Sequence, residues 1–266
     1  MKTLILLVVI IFLYLPEALA AKQRIITLAP HLAEIVDLLE KSDSLIAVSE
    51  ASNYPEFVTT LPTVANYRGI NTTQIVKLQP THILAWFNGN NPQDIATLNA
   101  MGLNVLSVEI NTLDDIAKQI EDIGEFIESP IAESLAQKFR NDIKTFKARF
   151  VNKERIDVFY YSWSKPLQSV GAGAWVTDLI AQCGLSHVFA SLPMPYPQVS
   201  LSSVLHKQAP LVIAATGEKT SVIERFWATH KEVYQPRIIA TDPDKMHRFT
   251  PRVLDALEEL CIEARL

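Results

Sequence analysis

Short apolar runs alternate with amphipathic stretches along most of this chain. Arg24 to Leu28, Leu45 to Ser49, residues 82 to 87 and residues 104 to 108 read as buried strands. Ala29-Pro30 opens a helix through Leu32, Ile35, Val36 and Leu39, whose three- and four-residue steps keep one face apolar. A further helix through Ile95 and Leu98 lies between the last two strands. The second half repeats the rhythm with Ile156 to Tyr161, Leu211 to Ala215 and Ile238 to Thr241 as strands. Strand, helix, strand is the pattern of a mostly parallel sheet with helices on its faces, so the fold class expected is α/β.

One unit recurs almost explicitly. "TTQIVKLQPTHILA" at 72–85 matches "SSVLHKQAPLVIAA" at 202–215 with a constant offset of 130, Lys77 falling on Lys207 and Pro80 on Pro210. Each copy reads as a short helix, a proline stop and a buried strand, which points to two pseudo-symmetric lobes. Between the copies, Ser129 and Pro130 suit an N-cap and first helical position. Ile131, Leu135, Phe139, Ile143, Phe146 and Phe150 then form one apolar stripe. This predicts a helix of about 22 residues, roughly 33 Å long, joining the lobes rigidly and leaving a cleft that opens little. The expected divisions are 1–20, 21–126, a linking helix in 127–153, and 154–266.

The first twenty residues change the reading of compartment. Lys2, the apolar run Leu4 to Leu15 and Ala18-Leu19-Ala20 form a secretory signal peptide with cleavage near Ala20. The run is shorter than the ~20 residues of a membrane-spanning helix, and no Cys follows the cleavage site to carry a lipid. A soluble, exported, periplasmic protein is expected. Cys183 and Cys261 are the two cysteines. In an oxidising compartment their pairing is the preferred reading, two buried thiols the alternative.

Composition narrows the function. With 48% hydrophobic residues, 20% charged and a net charge of −5, the chain lacks the clustered cations of a nucleic-acid binder. It carries no G-x-S-x-G elbow, H-E-x-x-H helix or phosphate-binding glycine loop; "GAGAW" at 171–175 lacks the third glycine. Nothing in it points to an enzyme or a bound cofactor. Six scattered histidines make no metal site, and His82 reads as a strand histidine satisfied by backbone.

The candidate chemistry is aromatic. Ligands of open α/β sheets bind beyond the carboxyl ends of the strands, where Trp86 ends one strand and Trp163 follows another. Tyr67 in "ANYRGIN" and Tyr196 in "MPYPQVS" occupy nearly equivalent loops of the two lobes. Two rings per lobe suit a broad, flat, partly apolar ligand.

"RIITLAP", "YRGINTTQIVKLQPTHILAW", "PYPQVSLSSVL" and "TPRVLDALEELC" together resemble the periplasmic cobalamin-binding family of the type III solute-binding proteins, over essentially the whole mature chain. The resemblance implies two α/β lobes joined by a backbone helix, a Cys183–Cys261 disulfide, and a monomer that delivers a corrinoid to an ABC importer. Family tryptophans fall on Tyr67, Trp86 and Tyr196, a family phenylalanine at or next to Trp163, a family acid on Asp242 and, after a two-residue insertion, a family arginine on Arg248. Asp242 and Arg248 would orient the ligand's polar rim, and His31 lies in the loop that meets the corrin edge. A family tyrosine is replaced by Ala51. The rival ligand is haem, for which Tyr67, Tyr196, His31 or His247 supplies an axial atom. The family's docking glutamates fall on Thr73 and Ser203, so the expected permease contact lacks its acids.

Overall fold

The computed structural model describes residues 22–150 and 154–266. The signal peptide, its cleavage near Ala20 and the end of the 127–153 segment therefore lie outside the described residues.

The first lobe holds a six-stranded sheet in the order β4-β3-β2-β1-β5-β6. Its strands are β1 (Ile25–Thr27), β2 (Leu45–Ser49), β3 (Thr63–Asn66), β4 (Gly69–Ile70), β5 (His82–Trp86) and β6 (Val105–Val108). All pairings are parallel except β3 with β4. Alternation sends Ile25 and Leu84 to one core, and Ile26, Ile83 and Ala85 to another. The sheet is thus buried on both faces, as a sheet covered by helices on both sides requires. Helix α1 (Pro30–Leu38) covers the first face, α2 (Thr72–Lys77) and α3 (Pro92–Ala100) the second.

Two helices carry the chain onward. Helix α4 (Leu113–Phe126) is opened by a reciprocal cap, in which the Thr112 hydroxyl accepts from the Asp115 amide and the Asp115 carboxylate accepts from the Thr112 amide. Helix α5 (Ala132–Phe150) begins two residues later than the Ser129-Pro130 start predicts. Ser129 does not cap it; its hydroxyl donates to the Leu39 carbonyl at 3.0 Å, tying the turn to α1 instead. The expected stripe is buried at Phe139, Ile143, Phe146 and Phe150. These rings belong to one apolar cluster that runs from Ile25 to Ala264, so the lobes share a core along α4 and α5.

The second lobe holds β7 (Ile156–Ser164), β8 (Leu167–Ser169), β9 (Leu185–His187), β10 (Leu211–Ala214) and β11 (Arg237–Ala240), with α6 (Trp175–Ala181), α7 (Leu201–Lys207), α8 (Thr220–Ala228), α9 (Pro243–Met246) and α10 (Arg252–Glu263). The sheet order is β11-β10-β7-β8, with β9 also on β7. Strand β7 runs three residues past Tyr161 because its outer half turns back into the antiparallel β8. Both α2 and α7 give way to a glutamine at positive φ before the proline, Gln79 at 46° and Gln208 at 51°, although these lie 129 apart and so one position out of the repeat's register.

Cys183 and Cys261 are bonded, fastening the end of α6 to α10 and closing the alternative of two thiols. His82 is satisfied not by backbone but by the Thr81 hydroxyl, 2.9 Å from Nδ1, with Phe126 against its ring. Among the described residues no helix is long and apolar enough to cross a membrane.

Candidate ligand-binding cleft

Parallel pairing gathers the carboxyl ends of each sheet on one edge. Tyr67 sits at the two-residue tip of the β3–β4 hairpin and Trp86 ends β5. In the second lobe Trp163 lies near the end of β7, Asp242 just past β11, and Tyr196 in the loop before α7, where its carbonyl accepts from Gln168 Nε2 at 3.2 Å. The loop after β2 meets α9, which follows β11, directly, since Asn53 Nδ2 donates to Asp244 Oδ2 at 2.7 Å. The two carboxyl edges therefore face each other. Tyr67 at 85%, Trp163 at 59% and Tyr196 at 54% exposure leave open rings on both lips. Beside Trp163 a pocket of about 270 Å³ is lined by Ser164, Lys165, Thr216, Gly217 and Glu218.

Trp86 is held differently from the other rings. It is half-buried, with His31 edge-on at 5.5 Å and Phe249 of the second lobe at 5.2 Å. Gly89 lies so close beneath it that a Cβ there would fall 1.8 Å from the indole. Trp86 Nε1 and His31 Nε2 are buried with no protein partner.

Three expectations about polar groups need correcting. Arg248 does not present a free fork to the rim: it is 7% exposed, with Nη1 on Glu34 at 2.7 Å and Nη2 on Asp244 at 2.9 Å and the Ala51 carbonyl at 3.0 Å. Ala51, at φ 65°, turns that carbonyl inward. His31 is not at the edge either; it is 3% exposed, and burial, aided by the Arg248 charge, holds its pKa down to about 3. His247 gives its Nε2 to the Tyr160 hydroxyl at 2.7 Å, and burial lowers it to about 4 despite Asp244 and Asp242. His247 is half-buried, and its Nε2 is engaged by the phenol and so is not free to reach a haem iron in this arrangement.

Asp242 remains exposed. It caps α9, accepting from the Asp244 amide at 2.8 Å through one oxygen, which leaves the other to face solvent. Thr73 and Ser203 are both exposed in the first turns of α2 and α7. Among the described residues no group of three His, Cys, Asp or Glu side chains is placed to hold a metal ion.

Of the floor of the cleft, the sequence reading names Arg248 but not the residues it pairs with. Glu34, 3% exposed as a side chain, takes Arg248, Arg252 at 3.0 Å and the Thr250 hydroxyl at 3.1 Å, all from the other lobe. Gln119 donates to the Phe249 carbonyl at 2.9 Å. The available signal is "TDPDKMHRFTP", a stretch dense in charged residues with no apolar period.

Residues 25–234 match the family described as periplasmic binding protein. The vitamin B12-binding protein of Vibrio cholerae serotype O1 is 34% identical over 259 residues, covering 94% of this chain and 93% of its own. The crystal structure of the periplasmic vitamin B12-binding protein BtuF of Vibrio cholerae covers 90% of this chain and 95% of its own, with a TM-score of 0.83 and 32% identity. The periplasmic haem-binding protein RhuT of Roseiflexus sp. RS-1 has a TM-score of 0.77 at 21% identity, covering 91% and 97%, a likeness of fold alone. This chain belongs to the periplasmic binding protein family.

Proposed function

We propose that this protein captures a corrinoid, cobalamin or a close relative, between its two lobes and delivers it to an ABC importer. The observation that carries the reading is the pair of facing carboxyl edges, with Tyr67 and Trp86 on one and Trp163 and Tyr196 on the other. A corrinoid offers a broad apolar face to such rings, and rim amides that both donate and accept. Asp242 is the free acceptor for them, while Arg248 acts through the lobe interface. The shared core along α4 and α5 favours a cleft that opens only slightly. The protein works as a soluble periplasmic monomer, and relatives named as vitamin B12-binding proteins support a role in binding its cargo. One observation favours haem as a second reading: the Tyr67 hydroxyl accepts from Arg68 Nε at 2.9 Å on an exposed hairpin tip, presenting an oxygen of the type that ligates ferric haem.

Trp86→Ala tests the corrinoid reading. Loss of a stacked ring weakens cobalamin binding by ~1–2 kcal/mol, measured by quenching of the remaining tryptophans. Unchanged affinity removes Trp86 from the site.

Docking is proposed to differ from that of the family. No Asp or Glu lies in residues 70–80 or 198–208, so the charge-assisted pairs that orient such complexes are missing. The fold does not forbid acids there, since the first turn of a helix favours negative charge. Thr73→Glu with Ser203→Glu is expected to strengthen stimulation of a glutamate-recognising cobalamin importer's ATPase. If the unaltered protein already stimulates that importer as well as its own partner does, the inference is wrong.

A further inference from the structure

Phe249 belongs by sequence to the second lobe, yet its segment is fastened to the first at three points. Arg248 before it and Thr250 after it both bind Glu34, and its own carbonyl accepts from Gln119. Its ring, 7% exposed, packs on Trp86 at 5.2 Å, His31 at 5.3 Å and Trp175 at 5.0 Å. Trp175 in turn donates its indole N–H to the Met246 carbonyl at 3.3 Å, bracing the same segment from its own lobe. Trp86 therefore has His31 edge-on, Gly89 beneath, and Phe249 on a tilted face.

From this contact set we infer that Phe249 is a positioning residue for ligand binding: docked across the lobe interface, it fixes the orientation of the Trp86 indole. The inference rests on the reading of Trp86 as a ligand-stacking ring, and it adds that the binding surface of the first lobe is completed by a side chain of the second. An indole is free to rotate about two side-chain torsions unless neighbouring atoms restrict it. Of its ring neighbours named above, Phe249 alone comes from the other lobe. Loosening the interface would thus blunt the binding surface without any ligand-contacting residue being changed.

A double-mutant cycle separates positioning from direct contact, because a residue acting through another loses its effect once that other is gone. Phe249→Ala is expected to lower cobalamin affinity about 10-fold in the otherwise unaltered protein and less than about 2-fold in the Trp86→Ala background. Phe249→Tyr, which keeps the ring, should restore affinity to within about 2-fold of the original. Equal losses in both backgrounds overturn the inference. Should Phe249→Ala fail to fold, Phe249→Leu keeps most of the volume and carries the same comparison. A ligand-free arm uses protein labelled with 5-fluorotryptophan, the Trp86 resonance being assigned by Trp86→Phe. In the Phe249→Ala or Phe249→Leu protein that resonance should shift and broaden; an unmoved resonance overturns the inference. If the unaltered protein binds no cobalamin, the proposed function fails, and the fluorine spectra still decide whether Phe249 orients Trp86.

Discussion

Replacing Glu34 with alanine is expected to destabilise the protein by about 3–5 kcal/mol, the range found when one partner of a buried ion pair is removed. The carboxylate is 3% exposed as a side chain and meets two guanidiniums, Arg248 at 2.7 Å and Arg252 at 3.0 Å, together with the Thr250 hydroxyl at 3.1 Å. Without it, Arg248, whose side chain is 8% exposed, keeps only Asp244 and the Ala51 carbonyl to compensate its charge. Those two partners place the loss toward the low end of the range. Urea titration at neutral pH measures it directly. A loss under about 1 kcal/mol would mean that the pair is solvated as surface pairs are, and that the lobes are held by the shared core alone. Because the same pairing anchors the Phe249 segment, cobalamin affinity is expected to fall together with stability.

Acid should weaken the protein before most of its carboxylates titrate. His31 is held near 3, and His187 and His247 near 4, by burial in each case. Unfolding releases each imidazole to its ordinary value of about 6.5. Between those values the unfolded chain binds more protons than the folded one, so stability rises with pH across the window. The contribution is complete above pH 6.5 and falls as pH drops from 6.5 toward 4, by up to about 1.4 kcal/mol per pH unit for each histidine. Urea midpoints at pH 7, 6 and 5 isolate the effect, since most carboxylates remain ionised there. A midpoint independent of pH from 7 to 5 would show that the three rings reach solvent without unfolding.

Much of the fold is legible residue by residue. The apolar runs at β1, β2, β5 and β10 are buried on both faces and bounded by turns, so hydrophobicity alone marks them. The repeat from Thr72 and Ser202 identifies the two lobes, and the exposed rings Tyr67, Trp163 and Tyr196 lie on the carboxyl edges as the strand–loop pattern requires. The hairpins β3–β4 and β7–β8 are less visible: their second strands have two and three residues and exist through pairing rather than periodicity. The lobe interface is least visible. Glu34 and Arg248 stand 214 residues apart, and a lone charge on a helix reads as solvated until its partner is known. For the same reason His31 reads as a loop contact, although the fold buries it between Trp86 and Phe249.

The most direct test of the central claim is a calorimetric titration of the purified protein with cobalamin and with haemin, side by side. One cobalamin per chain is expected at micromolar affinity or tighter, about −8 kcal/mol or more favourable, with weaker or no saturable binding of haemin. Saturable haemin binding with no cobalamin heat would contradict that claim, moving the cargo to haem while leaving the fold and the facing carboxyl edges as they stand.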